Sequence, residues 1–188
     1  MKYHNIITSF AILSSALFYG CLNDCKDYKP RDVYNSVNPD NLSRVPYTGF
    51  DTITFLRNNA DTITFYGTGK KKIVTVENGD LGACGPTSIL HNDNYKYTFI
   101  SNDVADKIII EIRYPNYLDF YFKGNRFISH LGELRDPFDM TEILINNNIY
   151  KNIILIYGKQ PKDSIYFGVG VGILKFGFQS GEQWTLLK

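Results

Sequence analysis

The chain has 188 residues, with 20 Lys and Arg against 19 Asp and Glu, for a formal net charge of +1. So even a balance argues against nucleic acid as a partner, because a polyanion calls for a basic excess. Apolar residues make up 44% of the chain, enough for the core of one ordinary domain.

The first five residues, Met1 to Asn5, carry Lys2 as their only charged side chain, and Ile6 to Tyr19 form an apolar stretch that stops at Gly20-Cys21. A positive start, an apolar middle and a small residue before the cut are the parts of a secretory signal. Fourteen residues cover only about 21 Å as a helix, against a hydrocarbon core of about 30 Å, so a spanning helix is the poorer reading. Gly20-Cys21 resembles the lipobox of bacterial lipoproteins, with Phe18 where that family favours Leu. The resemblance implies a signal peptide over 1–20 and removal of that leader. It also implies lipidation of Cys21 with palmitate-type chains, which hold the protein on a membrane without crossing it. The alternative is an ordinary secreted protein cut nearby.

Loss of residues 1–20 removes Lys2 and no acid, leaving 19 basic and 19 acidic residues. Cys25 and Cys84 then remain, and an oxidising envelope allows them to pair. A disulfide and two free thiols both stay open, because spacing does not show whether the Cα atoms approach.

Residues 21–48 are polar, with Pro30, Pro39 and Pro46 and no sustained apolar period. They read as a lipidated N-terminus and flexible tether, leaving 49–188 as a β-rich domain. Thr52-Ile53-Thr54-Phe55 recurs as Thr62-Ile63-Thr64-Phe65 around Arg57 to Asp61, which predicts a hairpin. Ile73 to Val76 extends the series, and Lys70-Lys71-Lys72 reads as a solvated hairpin end. Gly79 to Asn94 reads as a long polar loop holding Cys84. Tyr95 to Phe99 and Ile108 to Tyr114 follow; in the latter Ile110 and Ile112 share one face and Glu111 and Arg113 the other, so one side is wet. Further hairpins are expected at Gly124-Asn125, at Asn146 to Asn148 and at Ser180-Gly181.

About nine or ten short strands predict an all-β, mainly antiparallel fold with little helix: a meander-type curved sheet, a sandwich or a barrel. Single helical turns fit only 80–92 and Pro137 to Thr141. The 14 Tyr and 13 Phe residues read first as core and cross-strand packing.

The C-terminal third carries Asn148-Ile149-Tyr150-Lys151-Asn152-Ile153, Ile165-Tyr166-Phe167, Gly172-Ile173-Leu174-Lys175-Phe176 and Gly181-Glu182-Gln183-Trp184. This pattern resembles a group of small Bacteroidota lipoproteins. The resemblance implies an envelope address, β structure and no catalytic residues. Asp24 and Asp27, close behind Cys21, echo outer-membrane members of the group, so the expected location is the outer membrane, at its periplasmic face or the cell surface.

One motif offers chemistry. Cys84-Gly85-Pro86-Thr87-Ser88 resembles the nucleophile segment of papain-like peptidases, which implies His130 and Asp136 as base and orienting carboxylate. A helix after Cys84 would break at His91 to Asn94, and no Gln precedes the cysteine as an oxyanion donor. His91 with Asp93 lacks metal spacing, and Asn102, Asp103 and Asp106 lack the ladder of a calcium loop. Glu133 and Asp136 fit solvated loop charges better than a glycosidase pair. No cofactor or metal is expected. The leading expectation is a non-enzymatic binding or assembly domain, held on a membrane by lipid, with a protein, glycan or lipid partner. Its rivals are a carrier of an apolar ligand in a curved sheet and a cysteine peptidase using Cys84.

Overall fold

The computed structural model describes Cys25, Asp27 to His130, Met140 to Gly158, Gln160 and Lys162 to Leu187. The signal segment, Cys21, Asp24, Glu133 and Asp136 lie outside the described residues, as does the His130 side chain. The elements are β1 (Arg31–Asn35), α1 (Pro39–Ser43), β2 (Thr52–Arg57), β3 (Asp61–Asn78), β4 (Leu81–Gly82), β5 (Gly85–Pro86), β6 (Ser88–Ile100) and β7 (Lys107–Arg113). They continue as β8 (Tyr117–Phe122), β9 (Asn125–His130), β10 (Met140–Ile145), β11 (Asn148–Tyr157), β12 (Ser164–Gly168), β13 (Gly172–Gly177) and β14 (Gln183–Leu186). Two compact units result.

The larger unit comprises Asn35–Thr75 and Asn92 onward. It is all-β and antiparallel, a curved, unclosed sheet in the order β10-β11-β12-β13-β14-β2-β3-β6-β7-β8-β9. Most chain neighbours pair, but β3 pairs with β6, β9 and β10 stand at opposite ends of the order, and β14 returns to β2: Trp184, Thr185 and Leu186 lie opposite Arg57, Leu56 and Phe55. An isolated bridge joins Phe127 to Gly158.

Local chemistry explains the hairpins. The repeated Thr-Ile-Thr-Phe segments face each other, Ile53 opposite Phe65, Thr54 opposite Thr64 and Phe55 opposite Ile63. Antiparallel pairing of two identical segments places each Ile beside a Phe on the core side. The two threonine hydroxyls meet at 3.2 Å on the other side. Asn58 and Asn59 turn the chain at φ 50° and 57°, a conformation asparagine tolerates. Lys123-Gly124 and Asn146-Asn147 make the next positive-φ turns. The first of these falls one residue earlier than expected, because Asn125 already pairs with Phe122.

The core is aromatic. Phe55, Phe65, Phe122, Phe176 and Trp184 are buried and meet mostly edge-to-face, with Phe122 and Trp184 5.3 Å apart. Such pairs each add about 0.5–1.5 kcal/mol beyond area burial. The Gly-Glu-x-Trp turn has a local cause: Glu182 accepts the indole N–H of Trp184 at 3.1 Å and the ammonium of Lys123 at 2.9 Å.

Three expectations need correction. Residues 31–48 are not a loose tether, since β1 and α1 lie there and Val37, Val45 and Tyr47 are buried in the core. These three residues dock singly, so no period betrays them. Asn38 caps α1 by accepting the Asp40 N–H at 2.9 Å, and Pro39 fills the first turn. Secondly, Ile73 to Val76 is no separate strand; it continues β3.

The third correction concerns the smaller unit, which holds Cys25, Asp27 to Tyr34 and Val76 to His91. The segment 79–94 is neither a long loop nor a helical turn there. It forms the β4–β5 hairpin and the start of β6, which β1 joins. Backbone pairing holds it, with Gly79 N–H on Ser88 O at 2.8 Å and Thr87 N–H on Asp80 O at 2.7 Å. Polar side chains hid strands that rest on ladder bonds more than on burial. The turn expected over Pro137 to Thr141 mostly lies outside the described residues, and Met140 and Thr141 open β10.

Candidate functional site

In the smaller unit Cys25 and Cys84 form a disulfide, with Cα atoms 5.3 Å apart across 59 residues. A sulfur in that bond is not a thiolate and cannot attack a substrate. His91 is also engaged: Nε2 lies 2.8 Å from Asp32 Oδ1, and its ring stacks on Tyr34 at 4.5 Å. In the larger unit Asp93 pairs with Lys72 at 2.7 Å, whose ammonium holds the carboxyl below its usual range. Asp103 takes part in a local turn through its N–H on Ser101 Oγ. Among the described residues no group of three or more His, Cys, Asp or Glu is placed to hold a metal. No helix among them is long and apolar enough to cross a membrane.

Inside the larger unit, the void between Ile108, Phe120, Phe122, Ile165, Ile173 and Phe176 is about 10 Å³. That is room for about one water, not for a fatty chain. Chemistry concentrates instead on the opposite face of β6 to β9. There Lys96 lies beside Glu111, Glu111 beside Asp119, and Asp119 beside Ile128. Strand alternation forces this row outward, because Ile110, Ile112, Leu118 and Phe120 take the core side.

Asp119 is fully buried at the centre of the row. Its Oδ2 accepts from Arg126 Nη2 at 2.7 Å and from the Tyr121 hydroxyl at 3.3 Å, and Arg113 Nε makes an ion contact at 2.7 Å. Among the described residues Oδ1 has no hydrogen-bond partner. Each guanidinium also lies over a ring, Arg113 over Tyr117 at 5.4 Å and Arg126 over Tyr121 at 5.6 Å. The hydrogen bond to Asp119 raises the Arg126 pKa above its ordinary value. Burial, then the charges of Asp119 and Glu111, push the Tyr121 hydroxyl up.

Depth sorts the charges. Asp119 and Glu111 side chains are 0% and 19% exposed, whereas Arg113, Arg126 and Lys96 are 33%, 44% and 32% exposed. Carboxylates lie underneath and cations on top. Two guanidiniums would repel at this spacing, and the carboxylate between them holds both in place. The sequence reading singled out Glu111 and Arg113 as a wet face but missed Asp119. Its signal was a lone acid at the outward position of an aromatic strand. Opposite Glu111, such an acid needs neighbouring cations.

No family model, curated protein or solved structure matches the chain.

Proposed function

We propose that this chain is an envelope lipoprotein, lipidated at Cys21, whose β-rich domain serves binding or assembly and not catalysis. The observation that carries the reading is the Cys25–Cys84 disulfide. Such bonds persist in oxidising compartments outside the cytosol, which agrees with the signal-like Ile6 to Tyr19 and with Gly20-Cys21. The same bond occupies the strongest nucleophile candidate, which favours a non-enzymatic role. The expected place is the outer membrane, at its periplasmic face or the cell surface. Metabolic labelling with palmitate tests the anchor: wild type takes up label and Cys21→Ser does not. Equal labelling of the two would remove the proposal.

A further inference from the structure

The chain as a whole has no basic excess, but the outward face of the larger unit carries a local one, with Arg113, Arg126 and Lys96 against Asp119 and Glu111. Arg113 and Arg126 share one carboxylate, Asp119. Both contact the same oxygen at 2.7 Å, so the contacting nitrogens are at most twice that distance apart. The remaining N–H donors of two such forks suit a planar carboxylate or a sulfate. Their ring and Asp119 contacts fix them before any ligand arrives, which lowers the entropy lost on binding.

The cationic surface continues across the strands. Lys96 adjoins the row through Glu111 at 3.0 Å. It also lines an open groove of about 340 Å³ with Thr68, Lys71 and Thr98. Lys70 does not join this face, because its Nζ lies over the Tyr95 and Tyr97 rings, at 4.5 and 5.5 Å, on the core side of β6. Neighbouring strands are about 4.8 Å apart, so Lys96 and Asp119, two strands apart, are separated by roughly 10 Å.

We infer that this face binds an acidic polysaccharide bearing uronate carboxylates, seated on Arg113 and Arg126 and running over Lys96 into the groove beside Lys71. The inference deepens the binding role proposed above and rests on it, but it does not require the anchor. Charge complementarity selects an anionic partner. The open groove offers threonine hydroxyls and ammonium groups, which meet sugar hydroxyls and carboxylates. An acidic protein would want a desolvated apolar pocket for an anchoring side chain.

Affinity electrophoresis of the full-length chain through gels containing polygalacturonate, dextran or poly-glutamate tests the inference. Polygalacturonate retards the wild type at low salt, less so as salt rises, and dextran does not. Arg126→Lys keeps the charge but loses the fork, and weakens binding about tenfold with an unchanged melting curve. The double variant Lys71→Gln/Lys96→Gln weakens it severalfold, so the test survives if the arginine variant misfolds. No retardation by polygalacturonate, equal retardation by dextran, or affinity unchanged in both variants overturns the inference. Equal or stronger retardation by poly-glutamate also overturns it, in favour of an acidic protein. Should polygalacturonate fail while a defined partner still binds, this inference falls and the binding role stands.

Discussion

The Tyr47 hydroxyl accepts the backbone N–H of Ile173 at 2.8 Å across 126 residues of chain. Its ring lies against Phe99 at 5.1 Å, and the hydroxyl occupies the space where a side chain on Gly172 would begin. One residue of the expected tether thus pins the strand carrying the Gly-Ile-Leu-Lys-Phe motif.

Removal of that hydroxyl leaves the Ile173 N–H buried without its acceptor. Tyr47→Phe is expected to cost about 1–3 kcal/mol in urea unfolding. Gly172→Ala should cost more, since its Cβ would stand 2.2 Å from the Tyr47 hydroxyl at φ 101°. A Gly172→Ala variant as stable as wild type would refute this packing.

Alkaline pH should weaken the fold. Burial raises the Tyr47 pKa and pushes Tyr97 up to about 12. An unfolded tyrosine titrates near about 10, so above that pH the unfolded state releases protons that the folded state keeps. The contribution of Tyr97 is complete below about pH 10 and lost as pH rises toward 12. Denaturant midpoints measured from pH 8 to 12 should fall, and Tyr97→Phe should flatten part of the fall.

Asp119→Ala removes the carboxylate that holds Arg113 and Arg126, leaving two nearby guanidiniums without their counter-charge. The expected loss is about 1–3 kcal/mol, because both arginines stay partly exposed and solvent screens them, read by thermal or urea unfolding. A loss below about 1 kcal/mol would mean that solvent screens the two arginines without help.

Reduction or Cys84→Ser should loosen the smaller unit. Typical disulfides contribute about 2–4 kcal/mol, and the amides of Gly79 and Thr87, which donate across the local ladder, should exchange faster. Unreduced peptide mapping should recover Cys25 and Cys84 as one linked species. Separate peptides would rule out the bond.

At the β10–β11 turn, Asn147 stands at φ 64°. Asn147→Gly should be neutral or stabilising, and Asn147→Val should cost about 1–2 kcal/mol, because a branched side chain is strained there. Equal stability of the two variants in urea would contradict the turn geometry.

Much of the sheet was legible because its causes are local. The Thr-Ile-Thr-Phe repeat and the Asn and Gly turns declare their hairpins within a dozen residues. Val37, Val45 and Tyr47 were not legible, since isolated apolar residues in a Pro-rich stretch carry no period. The start of β6 was hidden by polar side chains, and Asp119 by the aromatic residues around it.

From the order of residues alone came the antiparallel class, the hairpins and the absence of a basic excess. Alternation and turn chemistry act between near neighbours, so a one-dimensional reading reaches them. Only the folded chain decided that β14 closes on β2, that Cys25 meets Cys84, and that Tyr47 reaches Ile173. It alone also stacked carboxylates beneath cations around Asp119. Each of these joins distant segments or sorts side chains by depth, and both depend on which surfaces pack together, not on spacing along the chain.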